Sequence, residues 1–179
     1  MSSPPPKKAK KTSSSKSAAG KAKTELRGKK FYTLQVFLIG GPMSEEFAGK
    51  TISRTIQVRG DQTLAVLHRA IFTAFDREEE HLYEFQLGKG PMDPDGPRYT
   101  PRSVVGMSAE DAVTGHAEDT TLDDLGLKVD RAFGYWFDYG DDWMHQINVV
   151  SIDDALARGR YPKITTRVGK SPPQYPTEG

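Results

Sequence analysis

Two periodicities divide this chain. Over Phe31-Tyr32-Thr33-Leu34-Gln35-Val36-Phe37-Leu38-Ile39, apolar residues occupy both parities until Gly40-Gly41-Pro42 ends the run, which predicts a central strand. Thr51–Val58 sets Ile52, Ile56 and Val58 on one face and predicts an antiparallel partner, with Arg54 at the same core-facing parity. The period then lengthens. Leu64, Leu67, Ile71, Phe72 and Phe75 follow helical spacing, so a helix is expected from Thr63 to Phe75, with Asp61 or Thr63 as N-cap and His68 at the margin of its apolar stripe. Asp76-Arg77-Glu78-Glu79-Glu80 reads as a solvated acidic turn closing that helix.

His81–Leu87 returns to a period of two, with His81, Tyr83 and Phe85 on one face and Leu82, Glu84 and Gln86 on the other. A Gly/Pro/Asp loop follows from Gly88 to Pro101, with an edge strand expected near Arg98–Val105. Thr121–Leu127 predicts a helical turn closed by Gly126. Ala132–Tyr139 and Trp143–Ile152 read as two strands joined by a tight acidic turn, and Asp153–Arg158 as a short helix. Tyr161-Pro162 and Ser171-Pro172-Pro173-Gln174-Tyr175-Pro176 predict an extended, proline-stiffened segment lying on the body. The fold class expected is α+β: a mostly antiparallel sheet with one main helix packed on it, preceded by a disordered basic tail.

Charge sharpens that division. Residues 1–30 carry nine lysines and Arg27 against Glu25 alone, while 31–179 carry 15 basic and 23 acidic residues. Residues 1–29, rich in Lys, Ser, Ala and Pro, lack the apolar area to offset their ordering entropy, and 30–179 form the expected domain. Lys7, Lys8, Lys10, Lys11, Lys16, Lys21 and Lys23 are the candidate phosphate contacts, by counterion release and without sequence preference. Pro4-Pro5-Pro6-Lys7-Lys8-Ala9-Lys10-Lys11 also has the composition of a nuclear-import signal in a eukaryotic setting. A solubilising tail is the plainer alternative.

Absent cysteine excludes disulfides, zinc–thiolate sites and thiol nucleophiles. No run approaches the ~18 apolar residues of a membrane span. The N-terminal lysines precede no apolar signal region, so a cytoplasmic chain is expected.

Candidate chemistry gathers in Tyr135-Trp136-Phe137-Asp138-Tyr139-Gly140-Asp141-Asp142-Trp143-Met144-His145. Asp138, Asp141 and Asp142, with His145, His81 and Glu84, offer the oxygen and imidazole ligands of a divalent-metal or acid/base site. The competing interpretation is structural. Aspartates favour turns because they bond their own backbone, and His145 shares the parity of Trp143 and Ile147, which half-buries it. Tyr139-Gly140-Asp141-Asp142 also spells the metal-binding hairpin of viral RNA polymerases, but the chain is too small to hold template and nucleotide. No nucleophile elbow and no phosphate-binding glycine loop before a helix is present.

Leu67-His68, then His81-Leu82-Tyr83-Glu84-Phe85, then Tyr135-x-Phe137-Asp138-Tyr139-Gly140-Asp141-Asp142-Trp143-x-His145-x-Ile147, then Tyr161-Pro162 and Pro172-Pro173 occur in that order. Together they resemble the plasmid pRiA ORF-three-like family, also met as the TnpR-type passenger protein of an insertion element, over roughly Lys30 to Pro176. The resemblance implies an α+β domain of plasmids and mobile elements and carries no activity with it. Two departures stand out. The family's Gly-x-Cys-Pro-Pro-Glu-Asp segment is here Ser171 before Pro172-Pro173, with Gln174-Tyr175 in place of the acidic pair. Its Trp-Arg-Arg strand core is reduced to Ile52-Ser53-Arg54.

The preferred expectation is therefore a non-catalytic binding or accessory module of mobile genetic elements, needing no cofactor, with a protein or tail-bound nucleic acid as partner. The alternative is a metal-dependent enzyme of hydrolase or nuclease type, with a divalent ion held by the hairpin.

Overall fold

A computed structural model describes residues 29–104, 113–154 and 158–176. The strands are β1 (Phe31–Gly40), β2 (Ser53–Arg59), β3 (Tyr83–Gln86), β4 (Arg98–Thr100), β5 (Gly115–His116), β6 (Ala132–Phe137), β7 (Trp143–Asp153) and β8 (Lys163–Val168). They form a single sheet in the order β5-β4-β3-β6-β7-β1-β2-β8, antiparallel except for the β4–β5 pair. Helix α1 (Leu64–Ala74) packs on it. The expected tail over 1–28, with all seven nominated lysines, lies outside the described residues, as do residues 155–157 of the expected Asp153–Arg158 helix.

Register explains why one face becomes the core. Leu34 pairs with Ile56 and Val149, Val36 with Ile147, and Leu38 with His145, which in turn pairs with Tyr135. Tyr135 and Phe137 pair with Phe85 and Tyr83. These side chains stand on one side of the pleat, where α1 adds Leu64, Leu67, Ile71 and Ala74, all buried. Thr63 caps the helix by accepting from the Val66 N–H, the role expected of a threonine at that position.

The opposite face mixes polar Thr33, Gln35, Gln57, Gln146 and Asn148 with apolar Phe37, Ile39, Met144 and Val150, of which Ile39 and Val150 are exposed, and a loop covers it at the β3–β6 end. There the Gly88–Pro97 loop crosses β6 at Gly134, where a Cβ would overlap the Pro91 carbonyl oxygen. This crossing explains why Glu84 and Gln86, on the nominally polar face of β3, are buried.

Several expectations need correcting. Arg77 does not belong to a solvated turn; it is buried, its guanidinium 3.6 Å from the Trp143 ring centroid. His68 is not marginal but only 3% exposed. His145 is fully buried rather than half-buried. Of the edge strand expected near Arg98–Val105, Arg98–Thr100 forms β4 and Val105 lies outside the described residues, and the C-terminal segment holds an unanticipated strand, β8, paired antiparallel to β2. Arg54 explains how β8 is held: Nε donates to the Ala74 carbonyl at 2.7 Å, Nη1 to those of Ser53, Val168 and Gly169, and Nη2 to Ser171 Oγ at 2.6 Å. A single buried cation thus satisfies an orphan carbonyl at the C-terminal end of α1 and fastens the end of β8 to it.

Candidate functional site

The hairpin expected to hold a metal disperses its polar groups. β6 ends at Phe137, and Asp138 then adopts a left-handed conformation (φ 61°) stabilised by its own side chain. Its Oδ1 accepts the N–H groups of Gly140 at 3.0 Å and Asp141 at 3.3 Å. Asp142, also left-handed at φ 54°, accepts the Trp136 indole N–H at 2.9 Å. Asp141 carries no side-chain bond of its own in this turn; its backbone N–H is the group that Asp138 captures.

His145 leaves the tip altogether. It faces the core, edge-on to Phe75 with centroids 4.9 Å apart, and its Nδ1 lies 3.3 Å from the Tyr135 carbonyl. Burial, with Arg77 nearby as a second cause, pushes its pKa down to about 3, so the ring is neutral with Nδ1–H donating and Nε2 unpartnered. Glu84, buried on the face away from α1, accepts from Gln86 Nε2 at 2.8 Å, with Arg98 Nη1 at 3.6 Å. Of the six nominated ligands only His81 and Asp138 approach each other, with Nε2 to Oδ2 at 3.5 Å. Among the described residues, no three His, Asp or Glu side chains are grouped to hold an ion.

A different cluster takes shape beside α1. A cleft of about 570 Å³ is lined by Ala65, His68, Arg69, Glu80, His81, Leu82, Tyr83, Pro101, Ser103 and Glu118. Its floor is His68 stacked on Tyr83, ring centroids 3.7 Å apart and planes 8° from parallel. His68 Nε2 lies 2.9 Å from Glu80 Oε2, and a carboxylate only accepts, so the ring proton is on Nε2. In the neutral ring Nδ1 therefore accepts from the Tyr135 hydroxyl, 2.7 Å away. Burial lowers the His68 pKa while Glu80 opposes that shift, the first cause being the larger. Arg69 Nη1 reaches the other Glu80 oxygen at 3.2 Å.

On the adjoining side, Gln174 Oε1 accepts the N–H groups of Glu78 and Glu79, and its Nε2 donates to the Glu79 carbonyl. The Tyr175 hydroxyl donates to Glu79 Oε2 at 2.9 Å and lies 2.8 Å from His81 Nε2. The Gln174-Tyr175 pair thus fastens the loop carrying Glu80 and His81. An amide can both accept and donate there, which a carboxylate cannot.

Reasoning from pattern missed His68, Arg69, Glu80, Glu118, Tyr135 and Tyr175 as neighbours of one cleft. The available signal was His68 on the helix, and the Glu80-His81 dipeptide at the entry to β3.

Among the described residues, an eight-stranded, mostly antiparallel sheet with one packed helix defines an α+β fold, and no helix is long and apolar enough to cross a membrane. The chain belongs to the plasmid pRiA4b ORF-3-like protein family, whose profile matches residues 45–175. Among solved structures it is similar to a protein of unknown function from Methanosarcina mazei Go1. The TM-score is 0.59 and the identity 25%, over 81% of this chain and 72% of that one. No curated protein matches the chain.

Proposed function

We propose that this protein is a non-catalytic binding or accessory module of mobile genetic elements, in which the folded domain is the scaffold and the basic N-terminal stretch contacts nucleic acid without sequence preference. The observation that supports it is the division of charge. Ten basic residues stand against one acid over 1–30, while 31–179 carry 23 acids against 15 basic residues, so phosphate attraction resides in the first 30 residues. The internal commitments of Asp138, Asp142, Glu84 and His145 point the same way, since side chains already bonded to the fold are poor ligands for anything else.

Neutralising about five phosphates gives a log K against log salt slope of about −4 to −5 on duplex DNA. Fluorescence anisotropy across a salt series measures that slope, and a chain lacking residues 1–28 should lose it. Unchanged binding after the deletion would refute the tail's role.

A metal-dependent enzyme is the second reading, and one observation favours it: the 3.5 Å approach of His81 to Asp138 at the edge of the cleft. Metal analysis of the purified chain and of its Asp138→Asn variant separates the two. Stoichiometric metal lost on substitution would replace the first reading by the second.

A further inference from the structure

The cleft beside α1 offers hydrogen-bond acceptors, and two of them are already oriented by the fold, Glu80 by the buried His68 and His81 by the exposed Tyr175. Tyr175 spends its proton on Glu79, so its oxygen accepts from His81, which places the His81 proton on Nε2. Asp138 Oδ2 faces the same N–H at 3.5 Å, its other oxygen being occupied by the turn. His81 Nδ1 is left as a lone pair with no partner among the described residues, on a side chain 35% exposed at the cleft wall. Glu80 is fixed by the buried His68, whose Nδ1 is occupied in turn by the Tyr135 hydroxyl. Such backing pre-organises a recognition site, because neither acceptor must be ordered when a ligand arrives.

We infer that this cleft receives a lysine or arginine side chain from an extended segment of a partner protein. A donor-only cation matches the His81 lone pair and the Glu80 carboxylate, with exposed Glu118, which accepts the Arg102 backbone N–H, also lining the cleft. Ala65, Leu82 and Pro101 line the space an aliphatic stem would fill. The volume, about 570 Å³, admits one such side chain with its adjoining backbone.

The fold also carries its own stand-in. Arg69, 75% exposed, has the Glu80 carboxylate as its ion-pair partner at 3.2 Å. Its guanidinium shows that Glu80 takes a cation in this geometry, and an exposed pair of this kind is weakly held. Arg69 is thus the group that an incoming cation displaces.

Isothermal titration of the full-length chain with acetylated, amidated pentapeptides differing only at a central Lys, Arg or norleucine tests the assignment. The basic peptides should bind at least tenfold more tightly than the norleucine peptide. Glu80→Gln should remove that preference, and Arg69→Ala should strengthen binding severalfold by taking away the internal competitor. Glu46→Gln, an exposed acid outside the cleft, should change nothing. Equal affinity for norleucine, or weaker binding by Arg69→Ala, would overturn the inference. Cadaverine binding as tightly as the lysine peptide would overturn its assignment to a protein segment, since a free diamine would then be ligand enough.

Discussion

The hairpin tip and the cleft contain the same chemical groups in opposite states. Three aspartates sit at the tip, yet Asp138 is occupied by the backbone N–H groups of its own turn and Asp142 by the indole of Trp136. At the cleft, Glu80 is bonded from the core side by the buried His68 and His81 by the exposed Tyr175, which leaves Glu80 half-exposed and the His81 Nδ1 free. The difference lies in the direction of the bonds. A carboxylate that caps its own turn stabilises the turn, whereas one tethered from behind presents its remaining surface to solvent. Density of acids in a sequence therefore says little about which acids are available.

The largest test of this contrast is the wall shared by the hairpin and the Arg77 loop. Trp143, the first residue of β7, is fully buried, and its ring carries the Arg77 guanidinium. Trp143→Ala should cost about 3–5 kcal/mol in chemical denaturation, as core aromatic truncations do. A loss under about 1 kcal/mol would mean the hairpin is not built on this core.

Acid titration comes next. His145 has a folded pKa of about 3 against an ordinary 6.5, so the unfolded chain binds the extra proton first. The stability this neutral ring contributes is complete above about pH 6.5 and is lost as pH falls toward 3. The slope should reach about 1.4 kcal/mol per pH unit in that window. Equilibrium denaturation of the His145→Leu variant should show a shallower acid limb; an unchanged limb would place the protonation elsewhere.

The smallest effect separates the two regions most directly. Asp138→Ala removes two backbone bonds at a left-handed residue and should cost about 1–3 kcal/mol. Glu80→Gln, at a half-exposed side chain, should stay within about 0.5 kcal/mol in the same denaturation series. Reversal of that order would show the cleft acid to be structural and the tip acid to be spare.

Much of the architecture was legible in order of residues. The doubly apolar Phe31–Ile39 run predicted a central strand, and it became β1, flanked by β2 and β7. Helical spacing between Leu64 and Phe75 located α1, because a 3.6-residue period buries one face and no other. Gly126 closed its turn in the left-handed conformation expected of it. Membership of the plasmid ORF-3-like family was likewise readable from motifs strung along one dimension.

The burial of Arg77 and His68 was not readable, because each looks like a surface residue to its neighbours in sequence. Arg77 is buried by Trp143 and the Pro172 carbonyl, 66 and 95 positions away, and His68 by Tyr83 and Tyr135. β8 escaped notice for a related reason: as an edge strand, mostly exposed, it has almost no apolar alternation to betray it. Local periodicity reports which side of an element is dry. Which polar groups meet across the dry interior, and which remain turned toward solvent, depends on sheet order and on where the C-terminal strap lies, and those were decided by the tertiary fold alone.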